Sequence, residues 1–450
     1  MELNEYISKL FDAAKAAGFE ACECCYTTGE DMEISVFGGE IDEYSLSNSI
    51  ALGLRGLYNG HMGYASTRVL DDASIDWLVE SAKSSAELVD NDDKEFLFAG
   101  SESYAEVKAF SQSIDDMTAR EKIDAALNME KQTLECDERI KRVSGCAVMS
   151  SSSSVRMVNT LGLDVSFRSN GLGAYVSPIA EQDGDTSNAS SIKFVRGKDE
   201  LDTGAIAREG VGEALAMLGA KPCASGAYKV LLRHDVMAGM LSTFDGMFSA
   251  DNAQHGLSLL KDREGDKIAA DIVTIIDDPL LESGMSSQPF DDEGVATYTK
   301  AVVENGVLNT LLHNLKTANK QGVKTTGNAA RGSVGGSMGV SPSNFFIKPG
   351  ELSLDELIAE VGEGIMITDI MGMHSGANPV SGDFSLGASG FMIEGGKLGR
   401  PVKSITVAGN FFKLLNDVRA LGSDLWFGMP GMSCCGAPSA IIESLSVAGA

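Results

Sequence analysis

The sequence predicts an α+β fold: helices packed on antiparallel sheets in the N-terminal part, and a β-rich C-terminal domain with a curved or barrel-like sheet. First, a helix, a run of strands and a helix follow one another twice before residue 222, which suggests an internal structural repeat. Second, glycine makes up 50 of the 450 residues, which is typical of many tight turns. Third, glycine and strand signals become denser after residue 222. We therefore predict two domains, 1–222 and 223–450.

Hydrophobic periodicity and turn residues place the N-terminal elements. Asn59-Gly60 is a hairpin signal, because both residues accept positive φ. Thr118 and Glu121 have the spacing of a capping box. Residues 90–117, with Asp90-Asn91-Asp92-Asp93, are polar and are predicted to form a loop. The predicted elements are a helix over 3–17, strands over 20–26, 32–37, 50–58 and 61–65, helices over 70–89 and 118–135, strands over 143–150, 154–159, 164–169, 173–178 and 190–196, and a helix over 202–218.

A strand and a helix open the C-terminal domain. Residues 227–232 are predicted to form the strand, and the helix begins at Asp235, which we expect to be its N-cap. Apolar residues at helical spacing give this helix one buried face. Glu304-Asn305-Gly306 is a second hairpin signal. Further on we predict a short helix over 352–360, capped by Ser353 with Glu356 at the box position, and a series of strands over 360–445 interrupted by a short helix near 409–420.

Composition and charge exclude several classes of protein. A hydrophobic content of 43% with 22% charged residues is typical of a globular chain. The net charge of −28 repels phosphate groups, so direct binding to nucleic acid or to an anionic membrane is not expected. No charge-free apolar run approaches the roughly 18 residues that span a bilayer. The acidic N-terminus leads an amphipathic helix and not a secretory signal, so we expect a cytoplasmic protein.

Several motifs follow one another in the C-terminal domain. They are "PFDDEGV" at 289–295, "ENGVL" at 304–308, "TTGNAAR" at 325–331 and "SGANPVSGDFS" at 375–385. In this order they resemble the C-terminal half of the TldD/PmbA family (peptidase U62-like), which is linked to peptide processing and maturation. The resemblance extends over roughly residues 225–424, and the N-terminal half is compatible with it.

The resemblance implies a specific comparison in the helix after Asp235. In the catalytic TldD branch the similar helix carries a His-Glu-x-x-x-His zinc motif, which aligns here with Ser242, Thr243 and Met247. A hydroxyl and a thioether are poor zinc ligands, and Thr cannot replace Glu as a general base. The chain therefore resembles the PmbA/TldE branch. The resemblance implies no cofactor in this chain and Zn in a TldD-like partner.

Other residues remain candidates for binding or chemistry. In the family, Gly- and Asn-rich loops such as 375–385 lie near the cleft between subunits. His374, Asn378 and Asp383 are therefore candidate peptide-binding residues, and the alternative is that they shape the loop through hydrogen bonds. The fallback metal ligands are His234, His255, His374 and Cys435, although nothing in the sequence brings them together. Surface, capping or buried-thiol roles are commoner for such residues.

The run Asp291-Asp292-Glu293 also allows two interpretations. Three adjacent carboxylates can serve acid–base or metal chemistry. The commoner arrangement is a turn in which Asp side chains accept hydrogen bonds from backbone N–H groups.

The leading hypothesis is a non-catalytic PmbA/TldE-like subunit. It would pair with a zinc-bearing TldD-like subunit and supply half of a channel that takes unfolded or small modified peptides. A peptide is expected to add as a β-strand to an exposed sheet edge. One alternative is a self-sufficient metallopeptidase homodimer that uses other His or Cys ligands. The other is a non-enzymatic regulatory binding protein similar to the family members named modulators of DNA gyrase.

Overall fold

The computed structural model describes residues 2–90 and 93–449, so Asn91 and Asp92 of the predicted polar loop lie outside the described residues. The N-terminal elements are α1 (Leu3–Ala16), β1 (Ala21–Phe37), β2 (Glu40–Tyr58), β3 (His61–Thr67), α2 (Asp72–Glu87), α3 (Gln112–Asp115), α4 (Ala119–Cys136), β4 (Ile140–Asn159), β5 (Asp164–Gln182), β6 (Asp185–Asn188), β7 (Ser191–Val195) and α5 (Thr203–Ala216).

The N-terminal strands form one curved antiparallel sheet, a half-barrel. Its order is β3-β2-β1-β4-β5-β6, and β7 also pairs with β5. Helices α1 and α2 pack over one part of the sheet in a cluster that includes Leu10, Leu54 and Leu78. Helices α4 and α5 cover a second part in a cluster that includes Ile34, Met129 and Ile206. This arrangement confirms helices packed on an antiparallel sheet.

Four of these strands are much longer than the sequence predicts. The predicted breaks at 27–31, 151–153 and 170–172 lie inside β1, β4 and β5, and β2 starts at Glu40 where the sequence predicts residue 50. The reason is backbone pairing on both sides. Asp31, for example, pairs with Ser47 of β2 and with Ser151 of β4. A ladder of main-chain hydrogen bonds holds segments whose side chains have little strand preference.

The C-terminal elements follow from residue 226. They are β8 (Gly226–Leu232), α6 (His234–Phe244), a 3-10 turn (Asp245–Phe248), α7 (Ala250–Gln254), β9 (Ile275–Asp277), β10 (Lys300–Glu304), β11 (Val307–Leu308), α8 (Leu315–Gln321), β12 (Ala329–Ala330), β13 (Gly339–Val340), β14 (Asn344–Ile347), α9 (Leu354–Val361), β15 (Gly364–Met371), α10 (Met373–Gly376), β16 (Asp383–Glu394), β17 (Lys397–Asn410), α11 (Phe411–Asn416), β18 (Val418–Leu421), β19 (Trp426–Phe427), β20 (Cys434–Ala437) and β21 (Ala440–Ala448).

A closed barrel confirms the curved or barrel-like sheet. The order is β17-β16-β15-β8-β21, and β21 pairs back with β17, as at Val407 and Val447. A second sheet runs β11-β10-β9-β14-β20-β19. Helix α6 shares its apolar cluster with both sheets, because Met240 and Phe244 lie in the same buried group as Ile367 and Phe345. The helix that carries the motif positions is therefore held by the two sheets of this part.

Local signals in the sequence fix many element ends. Asn59 and Gly60 have φ of 50° and 80°, as the predicted hairpin requires. The capping boxes at Thr118 and Ser353 are both present. Asp235 as the N-cap of α6 is wrong: the N-cap is Arg233, and its Nε donates to Asp235 Oδ1 at 2.7 Å. Asp235 lies in the first helical turn, where a carboxylate also stabilises the helix.

Four buried charges join the N-terminal sheet to the C-terminal elements. We call Glu23, Arg55, Glu293 and Arg331 the Arg55 cluster. Arg55 Nη2 lies 3.2 Å from Glu23 Oε1, and its Nη1 lies 3.4 Å from Glu293 Oε1. Arg331 Nη2 lies 3.6 Å from Glu23 Oε1. Two strands of the first sheet thus share an ion-pair network with residues 238 or more positions later.

Within residues 2–90 and 93–449, no helix is long and apolar enough to span a bilayer. The division into domains 1–222 and 223–450 stays a prediction.

Candidate functional site

The three motif positions lie at the end of α6 and in the turn after it. Ser242 is exposed, Thr243 is half-buried and Met247 is buried in the main apolar cluster. The Thr243 hydroxyl donates to Gly239 O at 2.8 Å and lies 3.0 Å from Met373 Sδ. Thr243 and Met247 therefore make internal contacts, and Ser242 is the most exposed of the three.

The structure adds Asp245, which the sequence analysis missed, to this region. Asp245 Oδ2 accepts a hydrogen bond from Ser433 Oγ at 2.9 Å and one from Cys435 Sγ at 3.7 Å. The Ser242 side chain also hydrogen-bonds to the Cys435 thiol. We call Ser242, Asp245, Ser433 and Cys435 the Asp245 cluster. The i, i+3 spacing of Ser242 and Asp245 was a visible signal, but nothing in the sequence linked it to β20.

Burial governs the protonation of this cluster. It raises the pKa of the Asp245 carboxyl, and the bonds from Ser433 and Cys435 offset this in part. Burial, and then the neighbouring Asp245 charge, raise the pKa of the Cys435 thiol well above its ordinary value. The Cys435 thiol therefore stays protonated at neutral pH and donates a hydrogen bond to Asp245.

The cluster does not fit a catalytic zinc ion. Such a site needs about three N, O or S ligands, and a zinc-bound thiol is deprotonated. Here Asp245 and Cys435 are the usual types of ligand, and they are hydrogen-bonded to each other as acceptor and donor. Ser242 and Ser433 add only hydroxyl groups. In the part of the chain that the structure describes, no three His, Cys, Asp or Glu residues form a group that could hold a metal ion.

The two fallback histidines near α6 have separate partners. His234 Nδ1 lies 3.0 Å from Asp424 Oδ2, and its ring stacks on Trp426 with centroids 5.9 Å apart. His255 is exposed at the end of α7, where Nδ1 lies 2.8 Å from Asp251 O. The structure does not bring these two histidines to a shared partner among its described residues. Of the four fallback ligands, it brings Cys435 to the motif helix.

The predicted peptide-binding residues lie around an exposed, shallow depression. His374 is exposed in α10, and Asn378 and Asp383 line the depression. Asn378 Oδ1 accepts from the N–H groups of Val380 and Ser381, at 2.9 and 3.2 Å. Their contacts are those of a shaped loop, and a peptide-binding role stays a prediction.

Asp383 is held in the same way. Its Oδ2 accepts from Ser381 Oγ at 2.9 Å, and its Oδ1 accepts from Asn410 Nδ2 at 3.0 Å. These bonds, from Asn410 first and then Ser381, lower the pKa of the Asp383 carboxyl. Asp383 is therefore an ionised residue on this open surface at neutral pH.

The carboxylate run forms a buried turn. Asp291 Oδ1 accepts from the N–H groups of Glu293 and Val295, both at 3.0 Å, and its Oδ2 accepts from Ala329 N at 2.9 Å. Burial and the neighbouring Glu293 raise the pKa of Asp291. The backbone-binding interpretation of this run therefore agrees with the observed hydrogen bonds.

A groove of about 590 Å³ runs between the N-terminal sheet and residues 429–431. We call it the serine groove, because one wall carries a row of hydroxyl groups: Ser45, Ser47, Ser151, Ser153 and Ser169. Asp31 and Glu33 lie on the same sheet face, and Met285 and Met429 line the opposite wall. Ser433, two residues after the groove-lining Gly431, bonds to Asp245. The groove is thus one short loop away from the Asp245 cluster.

Three profiles of one family together match most of the chain. The profile described as PmbA/TldA metallopeptidase domain 1 matches residues 22–86. The profile of the central domain matches 112–218, and that of the C-terminal domain matches 225–449.

Individual relatives agree. A Haemophilus influenzae protein named metalloprotease PmbA homolog is 29% identical over 94% of this chain and 92% of that protein. The crystal structure of a Thermotoga maritima protein, named as a candidate modulator of a DNA gyrase, has a TM-score of 0.92 and 34% identity, and covers 99% of this chain and 100% of that one. The crystal structure of TldE from Thermococcus kodakarensis has a TM-score of 0.90 with 22% identity, over 99% and 100% of the chains, and shows the shared fold. These matches extend along the whole chain, and it belongs to the PmbA/TldD family.

Proposed function

We propose that this chain is the non-catalytic, PmbA/TldE-like subunit of a TldD/TldE-type metalloprotease complex that acts on small unfolded peptides. The observation that carries the proposal is the Asp245 cluster. At the positions of the zinc motif the chain has Ser242, Thr243 and Met247, and the nearby acid and thiol are hydrogen-bonded to each other. A hydrolytic site needs a metal-bound water or another activated nucleophile, and this helix supplies neither.

The role of the chain in such a complex is to shape the peptide channel. The serine groove offers hydroxyl groups along one wall and flexible methionines on the other. Hydroxyl groups can pair with main-chain groups of any sequence, and methionines adapt to varied side chains. These properties suit a channel that takes peptides with little sequence preference. The zinc ion and the hydrolysis itself would belong to a TldD-like subunit.

The test begins with the metal content of the chain purified alone without chelator. We expect zinc per chain near zero, because the cluster lacks the ligands. Co-expression with a TldD-like chain should give a stable complex that cleaves peptides, whereas neither chain alone should do so. A zinc content near one per chain, or metal-dependent cleavage by the isolated chain, would instead establish a self-sufficient metallopeptidase. Failure of the two chains to associate at micromolar concentration would reject the subunit role.

A second candidate function rests on the Thermotoga maritima relative, whose name refers to DNA gyrase. The net charge of −28 disfavours contact with DNA but allows binding to a basic protein surface. A pull-down with gyrase at low salt tests it, and an empty pull-down removes this candidate.

A further inference from the structure

The hairpin of β1 and β2 has an unpaired edge. β3 pairs with Leu52 to Tyr58 of β2, whereas residues 40–51 pair with β1 on one side only. Among the described residues, no strand or isolated bridge covers the other side of 40–51. Every residue from Phe37 to Ile50 is exposed. Alternate residues along this twelve-residue stretch therefore present free backbone donors and acceptors to the open side, over about 40 Å.

One face of this edge is apolar. Tyr44 pairs with Ile34 of β1, which is completely buried beneath α3 and α4, so both lie on the helix-covered face of the sheet. Leu46 and Ile50 lie on the same face, since strand side chains alternate. A bulge between Ser35 and Val36 brings Ile41 to that face as well. The four apolar side chains on β2 are 46–47% exposed, and they extend the covered core out to the open edge.

The opposite face is acidic and hydroxylic. Ser45 and Ser47 of β2 pair with Glu33 and Asp31 of β1, and all four line the serine groove. Besides Glu23, which belongs to the buried Arg55 cluster, the hairpin carries six acids: Glu30, on the helix-covered side near Lys122, and Asp31, Glu33, Glu40, Asp42 and Glu43. Residues 16–54 contain no Lys or Arg. No ion pair joins any of the six to a cation within the described chain. The face therefore has a negative charge that no ion pair neutralises; Arg196, which also lines the serine groove, bonds to backbone carbonyls.

We propose that this edge binds an extended peptide segment in which apolar and basic residues alternate. Such a segment can continue the sheet through main-chain hydrogen bonds. Its alternate side chains then meet the apolar face and the acidic face. Charge complementarity favours this occupant over a second copy of the chain, which would add six more carboxylates and a further charge of −28. The inference rests on the proposed function in treating the segment as a peptide to be processed.

Fluorescence anisotropy on the purified chain tests the edge. The probe is a labelled peptide of about ten residues in which Val and Lys alternate, the length that the free edge can pair. Two matched peptides replace Lys with Glu, or carry N-methyl groups on alternate amides. We expect binding of the Val/Lys peptide alone, and weaker binding as NaCl rises from about 50 to about 500 mM. Equal binding of the Glu peptide, or of the N-methylated peptide, overturns the proposal, and so does the lack of any binding.

Leu46→Lys tests the location. It puts a charge in the middle of the apolar face and should raise Kd about tenfold or more. Leu88→Lys, at a site that is 83% exposed on another surface, makes the same change of charge and should leave Kd unaltered. Circular dichroism and thermal unfolding confirm that both variants fold. Equal Kd values for the two variants overturn the assignment.

Two further outcomes separate this proposal from its rivals. A wild-type dimer that Leu46→Lys converts to a monomer would assign the edge to a second copy and reject the peptide. The peptide assay uses this chain alone, so it can fail while a complex with a TldD-like chain forms. The complex can likewise fail while the edge still binds its peptide.

Discussion

Replacement of Arg55 by Met should destabilise the junction between the N-terminal sheet and the C-terminal elements. Arg55 faces Glu23 at 3.2 Å and Glu293 at 3.4 Å, and none of the three side chains is more than 4% exposed. Methionine fills a similar volume without charge, so both carboxylates lose a cation while they remain buried.

The size of the effect follows from what each carboxylate retains. Removal of one partner of a buried pair costs about 3–5 kcal/mol. Glu23 keeps Arg331 at 3.6 Å, and Glu293 keeps the N–H of Leu315 at 2.8 Å. Several atoms of the Arg55 cluster, including Arg55 Nε and both Glu23 oxygens, have no hydrogen-bond partner of good geometry. We therefore expect a loss near the lower limit, about 3 kcal/mol in the free energy of unfolding.

The loss should depend on pH. Burial raises the pKa of Glu293, and the Arg55 charge offsets this rise. Without Arg55 the folded-state pKa rises further above the unfolded value of about 4.3. A carboxyl with a raised folded pKa loses stability as pH rises from its unfolded pKa through its folded one. The deficit of Arg55→Met should therefore be larger at pH 8 than at pH 5.

Guanidinium unfolding followed by circular dichroism measures both effects. The matched control is Arg120→Met, because the Arg120–Asp124 pair at 3.1 Å is exposed. Its loss should stay below about 1 kcal/mol. The reasoning is refuted if Arg55→Met loses no more stability than the control, or if its deficit is the same at pH 5 and pH 8.

Three further predictions concern the barrel and the motif helix. Gly390→Ala should lower the unfolding free energy by about 2 kcal/mol or more, because a Cβ at Gly390 would lie 1.9 Å from Met366 O. The control, Gly212→Ala, adds a methyl group in open space on α5 and should raise the unfolding free energy by about 0.5–1 kcal/mol. Equal thermal stability of the two variants would contradict this prediction. The double variant Ser242→His/Asp245→His should create a zinc site together with Cys435, because both replaced side chains contact the Cys435 thiol. We expect about one zinc ion per chain by elemental analysis, and loss of that zinc when Cys435→Ala is added. Zinc retained after Cys435→Ala would rule out this geometry. Asp245→Asn should gain stability relative to the wild type as pH rises from about 4 towards neutrality. The reason is that burial raises the folded-state pKa of Asp245, so its ionisation destabilises the native state of the wild type. Thermal unfolding measures this, and parallel Tm–pH profiles of the two proteins would contradict that cause.

Local chemistry made part of the fold predictable. The Asn-Gly turns and the capping boxes at Thr118 and Ser353 depend on contacts within four residues, and the sequence shows such contacts directly. The long strands were missed because the Gly, Ser and Asp residues within them are held by neighbouring strands. The edge of β2 was missed because its strand signal is weak: Tyr44, Leu46 and Ile50 alternate with serines, but Asn48 interrupts the alternation and acidic residues precede it.

The candidate site, too, could be predicted only in part from the sequence. The resemblance placed Ser242, Thr243 and Met247 on the motif helix, and the structure shows that helix between the two C-terminal sheets. Asp245 as partner of Ser433 and Cys435 could not be predicted, because 188 and 190 residues separate them along the chain. The Arg55 cluster was hidden by an even larger separation, 238 residues between Arg55 and Glu293.

Closure of the barrel has a consequence for biosynthesis. Val230 of β8 pairs with Ile442 of β21, so 442 minus 230, or 212, residues separate two neighbouring strands. At a translation rate of roughly 5–20 residues per second, β21 is synthesised on the order of 10–40 s after β8. During that time at least one side of β8 is open, because its other neighbour, β15, pairs through Ile365, 135 residues after Val230. The apolar cluster around α6 is likewise incomplete. A nascent chain of this protein should therefore need a chaperone at this stage more than during synthesis of the N-terminal sheet, where the widest gap between paired strands is shorter: Glu23 of β1 pairs with Asn159 of β4, 136 residues later.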